Sequence, residues 1–484
     1  MNAETKITRY GRWVVEHPWL AMLISVLLIL AAASGGKNLA FTTNYRVFFS
    51  PENPELLAFE ELEKLYTKND NVMIMVVPKD GDVFTPQTLK LIQELTEEAW
   101  QVPFSIRVDS ISNFQHTTAD ADDLTVRDLV PVDVELDATT LAEIRKIALS
   151  EPLLAHRLIS TTGHVTGVNV TVQLPGKSPT TEVPEVVRYA RDLVAKFEAK
   201  YPDVDLRLNG MVLMNNAFSE AAQGDMKSLI PISFILMLVT LGLLIKGFSG
   251  TVGTMVVIIL SIMAAMGGGG HLGFPITPPS SATPTIVLTM AIANAVHILV
   301  TFLHEMRDGQ GKKESMVESL RINMQPVFLA SLTTAFGFLS MNFSDVPPFQ
   351  HLGNMVAIGV AASFFLTVFF LPAFMMVVPV RVKVDHKGVG DAIMIKLGNF
   401  VVDKRRPLMW GMLLVIATLI SFLPRNELND IFVHYFDEKI EFRRDADFMA
   451  ENLSGLYIID YSIESGESGG ISNPEFLAEV DSFA

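Results

Sequence analysis

Seven apolar stretches without a charged side chain constrain this 484-residue chain more than any other feature. They are Pro18–Ala33, Leu229–Ile245, Thr251–Leu272, Ala282–Leu303, Val327–Phe343, Leu352–Val378 and Leu408–Leu423. A bilayer core about 30 Å thick takes about 20 apolar residues of helix, so each stretch is long enough, or nearly so, to cross it. The chain therefore reads as a polytopic α-helical membrane protein.

Lys and Arg in short loops fix the expected orientation. Lys6, Arg9 and Arg12 precede the first span, Lys246 lies between spans two and three, and Arg307, Lys312, Lys313 and Arg321 lie between four and five. Arg381, Lys383, Lys387, Lys396, Lys404, Arg405 and Arg406 lie between six and seven. The alternate loops, His271–Ser281 and Ser344–His351, hold none. An inside N-terminus satisfies every short loop. Ala31-Ala32-Ala33 has the small-residue look of a signal-peptidase site. The matching segment of the repeat described below is internal, so the first span reads as a retained anchor.

Composition supports two large water-exposed parts. Residues 37–227 carry a net −11, residues 425–484 a net −10, and the remainder +5. Both acidic blocks fall on the outer side of the expected topology, the periplasm if the cell is a Gram-negative bacterium. Only 19% of residues are charged and the total is −16, which excludes a nucleic-acid binder built on a basic surface. With no cysteine, disulfides, thiolate metal sites and a Cys nucleophile are excluded too. The expected division is a cytoplasmic N-terminus and first span (1–36), an extracytoplasmic α+β lobe (37–227), a five-helix bundle (228–380), a cytoplasmic linker (381–407), a seventh span (408–424) and the start of a second lobe (425–484).

The chain repeats itself. Trp13-Val14-Val15-Glu16 before Pro18 resembles Phe400-Val401-Val402-Asp403 before Pro407. After each span come an Asn-containing exit (Asn38-Leu39; Asn426-Glu427-Leu428) and an aromatic pair (Phe48-Phe49; Tyr435-Phe436). A β-like run (Val72–Val77; Leu456–Ile463) and a Pro-started helix (Thr85-Pro86; Asn473-Pro474) follow. A near-constant offset across these features signals duplication. The chain then reads as the N-terminal half of a duplicated architecture, with its second copy cut short.

Within the first lobe, strands are expected at Asn71–Val77, Phe104–Ile111, Val165–Leu174 and Val204–Leu208. Helices are expected at Pro86–Trp100, Thr139–Leu149 and Val183–Ala199. Asp120–Asp123 and Pro175–Thr181 read as exposed loops. Alternating elements of this kind suggest layers of the split βαβ type.

The run from Gln325 to Pro372 carries more specific information. Its Pro326, Ser331, Thr333-Thr334, Gly337-Phe338, Ser344-Asp345, Pro347-Pro348, Gly353, Gly359 and Leu371-Pro372 resemble the central membrane motif of the resistance-nodulation-division (RND) superfamily. The likeness is greatest to its hydrophobe-exporter branch, related to MmpL proteins and sterol-sensing domains. Gly210, Asp225 and Pro231, then Pro284-Thr285 and Asn294-Ala295-Val296-His297, extend the resemblance to nearly the whole chain. It implies a transporter, not an enzyme, in the inner membrane, moving hydrophobic or amphiphilic molecules by inward proton flow. The partners implied are the lipid bilayer and that small-molecule substrate, with a homo-oligomer or a periplasmic protein left open.

The chain departs from the family where it matters most. Asn294 stands where the fourth span usually carries Asp, and an amide neither binds nor releases a proton near neutrality. His297, one turn away, is able to titrate there. Thr333, Thr334 and Ser340 on the fifth span are the expected partners of this pair. An apolar span also holds Asn and His as interhelical glue worth about 0.6 kcal/mol, so both roles stay open. A neutral residue here also suits a lipid sensor or scaffold that does not pump. Asp225, just before the second span, is either an outer proton entry or a charge at a helix N-terminus. Gly267–Gly270 reads as close helix packing or a span end, and His271 as solvated. No motif for a metal, a phosphate or a cofactor, and no nucleophile elbow, is present.

Overall fold

The computed structural model describes all residues except 1–5, 43, 67–69, 121–122, 133, 246, 381, 383–388, 428–430, 458, 460 and 484. Lys246, Arg381, Lys383, Lys387 and Leu428, used above, therefore lie outside the described residues. The chain starts with α1 (Lys6–Glu16) and α2 (Pro18–Ala33), then α3 (Pro54–Leu65), β1 (Asn71–Pro78) and α4 (Pro86–Ala99). β2 (Ser105–Asp109), β3 (Gln115–Asp120), β4 (Asp123–Asp128), α5 (Ala138–Ser150), β5 (Thr166–Val172), α6 (Pro179–Lys200) and β6 (Val204–Asn209) follow. Next come α7 (Met211–Ile245), α8 (Phe248–His271), α9 (Thr283–Arg307), α10 (Lys312–Leu339), α11 (Pro347–Phe365) and α12 (Leu371–Val377). α13 (Val389–Asp403), α14 (Arg405–Ser421), α15 (Glu441–Asn452) and α16 (Pro474–Phe483) complete the helices.

Seven helical segments are long and apolar enough to cross a membrane. They are Pro18–Asn38, Met211–Leu243, Phe248–His271, Ser280–Arg307, Lys312–Phe343, Pro347–Val377 and Arg405–Arg425. The protein is thus a multi-pass α-helical membrane protein with an α+β part. It divides into two units, one of residues 1–50 and 218–431, the other of residues 51–217 and 432–484.

In the first unit, α8 is the organising helix. Its buried face (Gly250, Gly253, Thr254, Val257, Ile258, Ser261, Ala264, Ala265, Gly267, Gly269 and Gly270) carries bulk only at Val257 and Ile258, and none in the last two turns. Such a face lets helices approach closely where water-driven burial gives no help. At Gly267 an added Cβ would sit 2.8 Å from the Ala32 carbonyl carbon, and at Gly270 2.7 Å from that of Gly35. The expectation that the glycine run permits close packing is met by backbone against backbone. His271 is exposed yet not merely solvated: its Nε2 lies 3.1 Å from Ser34 Oγ and 3.2 Å from Ala31 O. The exit of the first span pairs with the loop after α8, Ile276 N–H donating to Ala40 O and Thr42 N–H to Ile276 O. Between α11 and α12 a single π-helical turn, Leu366–Phe370, precedes Pro372, which lacks an N–H to continue the ladder.

In the second unit a four-stranded antiparallel sheet has the order β2-β5-β1-β6. β5 separates the parallel pair β1 and β2, and β1 separates β5 and β6. Two split βαβ units are therefore interleaved, as the alternation predicted. Val168, Val170 and Val172 are fully buried, as their period-two spacing requires. Side chains set the helix starts: Asn53, Thr85 and Asp137 accept from the backbone N–H of Leu56, Thr88 and Thr140. Glu182 accepts from the N–H groups of Gly176, Lys177 and Ser178, so α6 starts at Pro179, inside the expected loop. Of the expected loop Asp120–Asp123, Asp120 and Asp123 pair as the ends of β3 and β4, and the two residues between them lie outside the described residues.

Elements recur along the chain. The 3-10 turns Tyr45–Phe48 and Phe432–Tyr435, helices α2 and α14, and helices α3 and α15 each start 387 residues apart, and α4 and α16 start 388 apart. The expected strand at Leu456–Ile463 differs: its described residues form no strand. β1 is a strand because β5 and β6 flank it, and no described strand flanks 456–463.

Candidate functional site

The polar site in the bundle is a node linking three spans. α9 is apolar around most of its circumference and buries Val287, Leu288, Ala291, Ala295, Ile298, Leu299 and Phe302. Asn294 lies on that same buried face, only 2% exposed. Its Nδ2 donates to Ser331 Oγ on α10 at 3.1 Å and to Ser363 Oγ on α11 at 3.2 Å. Both serines are buried. A buried amide without partners costs about 1–3 kcal/mol, and the two hydroxyls remove that penalty.

The seam between α9 and α10 carries two more ties. Asn323 Nδ2 donates to Thr301 Oγ1 at 2.8 Å, and Ser319 Oγ donates to the Ile298 carbonyl at 2.6 Å. Four residues beyond Ser363, in the π-helical turn, Thr367 is fully buried with no hydrogen-bond partner among the described residues. At the far end of α12, Lys312 Nζ donates to the carbonyls of Met376 and Val378 at 3.1 and 2.7 Å. A cation there also answers the negative end of the helix dipole.

The residues singled out from sequence are distributed differently from expectation. Asn294 is in the node, but His297 is exposed, with no hydrogen bond from its ring among the described residues. Three residues is 60° short of a full turn, which carries His297 from the buried face to the edge of the helix. Thr333, Thr334 and Ser340 do not reach Asn294. Thr333 donates to Leu329 O and Ala330 O, Thr334 to Ala330 O, and Ser340 to Gly337 O. The physical reason is twofold: a helical hydroxyl finds the carbonyl of the preceding turn, and Thr333 lies about 200° round α10 from Ser331.

Asp225 is exposed in the middle of α7, which begins at Met211. It is therefore no N-terminal helix charge, because the strand β6 passes through Gly210 directly into helix. Gly210 allows that splice: its φ is +112°, and a Cβ there would meet Asn71 O at 2.5 Å. Ser363 escaped sequence reading as a single polar residue in an apolar run, and Ser319 and Asn323 because they lie in a polar stretch with Glu318, Arg321 and Gln325. Ser331 had a signal, since it belongs to the motif quoted above.

Chemically the node holds only an amide and hydroxyls. None ionises near neutrality, so it ties three helices together without storing a proton. Among the described residues no cluster of His, Cys, Asp and Glu suited to a metal occurs.

Comparison with known proteins places this architecture. Over 375 residues the chain is 19% identical to MJ1562 of Methanocaldococcus jannaschii, a protein named as a membrane protein; the match covers 75% of this chain and 91% of that protein. YdgH of Bacillus subtilis, likewise named as a membrane protein, is 22% identical over 260 residues, covering 52% of this chain and 28% of YdgH. The model of the MMPL family matches residues 49–409, from within the first lobe to the start of the seventh span. The chain belongs to the MMPL family.

Proposed function

We propose that the protein is a transporter of the RND/MMPL type that exports or traffics hydrophobic, lipid-like molecules, driven by inward proton flow. The family match supports this reading most, because it takes in lobe and bundle as one module over residues 49–409. In this reading the protein sits in the inner membrane with its N-terminus in the cytoplasm and residues 37–227 outside. It performs no covalent chemistry. The distribution of Lys and Arg among the short loops supports the orientation. His297 is the group in the fourth span with the chemistry to relay protons, and Asp225 the group with the chemistry to admit them.

A second reading, a lipid sensor or scaffold that does not pump, is favoured by one observation. Asn294 engages both serines as a neutral amide.

Reconstitution in liposomes under an imposed pH gradient separates the two, with a fluorescent long-chain fatty acid as probe and a trapped pH dye. Transport predicts gradient-dependent probe movement with proton entry, abolished by a protonophore and weakened in His297→Ala. Sensing predicts saturable probe binding with no gradient-dependent movement. Absence of both binding and movement refutes both readings for this class of molecule.

A further inference from the structure

The sheet of the second unit has two faces of different character. Val72, Ile74 and Val76 of β1 point one way; Met73, Met75 and Val77 point the other. The methionine face is covered by α15, a helix that the chain supplies only after the seventh span. Met449 of α15 and Leu453 just after it pack with Met73, Met75 and Val165, with Phe448 and Leu158 at the margin. Gly167 keeps β5 flat beneath it: a Cβ there would lie 2.6 Å from Met73 Sδ.

One charged-type side chain of α15 enters this interface. Asp445 is 7% exposed, and the N–H of Leu208 on the edge strand β6 donates to its carboxyl. Arg207, beside it on β6, is committed elsewhere. Its Nε is 3.0 Å from Asp205 Oδ2, and its guanidinium lies over the Phe448 ring, 4.2 Å from the centroid. Glu441 and Arg444 are the nearby charges on the helix itself. On this face β1 and β5 offer Asn71, Met73, Met75, Val77, Gly167, Asn169 and Thr171, none of them titratable. At the far end of α15, Asn452 Oδ1 is 2.7 Å from His164 Nε2.

We propose that α15 is a pH-operated clasp on the sheet, seated when Asp445 is protonated and loosened when it ionises. Burial is the main cause: it pushes the carboxyl up from 3.8 to about 6, against the opposing pull of Arg207. The folded value is raised, so the stabilisation is complete below pH 3.8 and is lost as pH rises through about 6. The clasp grips in acid and slackens toward neutrality. It does not depend on what the bundle moves.

The test is hydrogen exchange of the α15 amides in the full chain in detergent micelles, corrected for intrinsic rates. With the raised carboxyl, protection is expected to be about tenfold greater at about pH 5 than at about pH 8. Asp445→Asn is expected to remove the pH response and keep α15 protected at both values. His164→Gln is expected to leave the response in place. A wild-type response within twofold of none overturns the proposal. So does an unchanged response in Asp445→Asn, or its loss in His164→Gln, which makes the histidine the sensor.

Discussion

Gly267 is where a single methyl group has the most to disturb. An ordinary carbon contact is 3.4–4 Å, and the added Cβ would stand 2.8 Å from the Ala32 carbonyl carbon and closer still to its oxygen. The shortfall is at least 0.6 Å, and both sides are backbone, so no rotamer relieves it. Overpacking of this kind costs about 1–3 kcal/mol, and the rigid neighbours put Gly267→Ala near the upper end. Replacing Gly by Ala inside a helix returns about 1 kcal/mol. The clash wins by about 2 kcal/mol. Gly36→Ala is the matched control, since its Cβ would meet nothing within 4 Å. Purified in mild detergent and unfolded by heat or by increasing SDS, Gly267→Ala is expected to lose stability while Gly36→Ala keeps it. Equal stability of the two variants refutes the account of how α2 and α8 meet.

Three further outcomes follow from two other sites. Asn294→Ala removes two interhelical hydrogen bonds worth about 0.6 kcal/mol each, so it is expected to cost about 1 kcal/mol in the same unfolding assay. Asn294→Asp is expected to make that stability pH-dependent, and a pH-independent Asp variant contradicts the burial of the node. In the lobe, hydrogen bonds from Lys200 and Tyr201 hold the Glu94 carboxyl below its usual 4.5. The folded value is depressed, so its contribution is present above pH 4.5 and fades as pH falls further. Glu94→Gln is therefore expected to lower the melting temperature at neutral pH and to matter progressively less below pH 4.5. A deficit that stays constant down to about pH 3 rules out the ionic origin.

Much of this protein is legible in its sequence because membranes and sheets leave periodic marks. The seven spans announce themselves by length and lack of charge, and β5 by its alternating valines. The β3–β4 hairpin does not. Its strands QHTTAD and DLTVRD are short and largely polar, and the alternating pair Leu124 and Val126 is too brief a signal and is exposed. α3, which the sequence reading passed over, buries no residue, so no core-facing stripe marks it. The node was half legible. Asn294 stands out in an apolar span, but its partners lie 37 and 69 residues away. Nothing in local spacing selects Ser331 over the more conspicuous Thr333-Thr334; only the packing of three helices does.

The interleaved sheet has a consequence for biogenesis. β1 is made early, yet both of its neighbours, β5 and β6, are the last strands of the sheet to leave the ribosome. Until residue 172 has been synthesised β1 has no ladder to join, and until residue 209 its other edge stays open. Pairing across so long a stretch of chain is slow and leaves strand edges open to wrong partners. The nascent lobe thus passes through a vulnerable interval that closes only as the second span begins to be made.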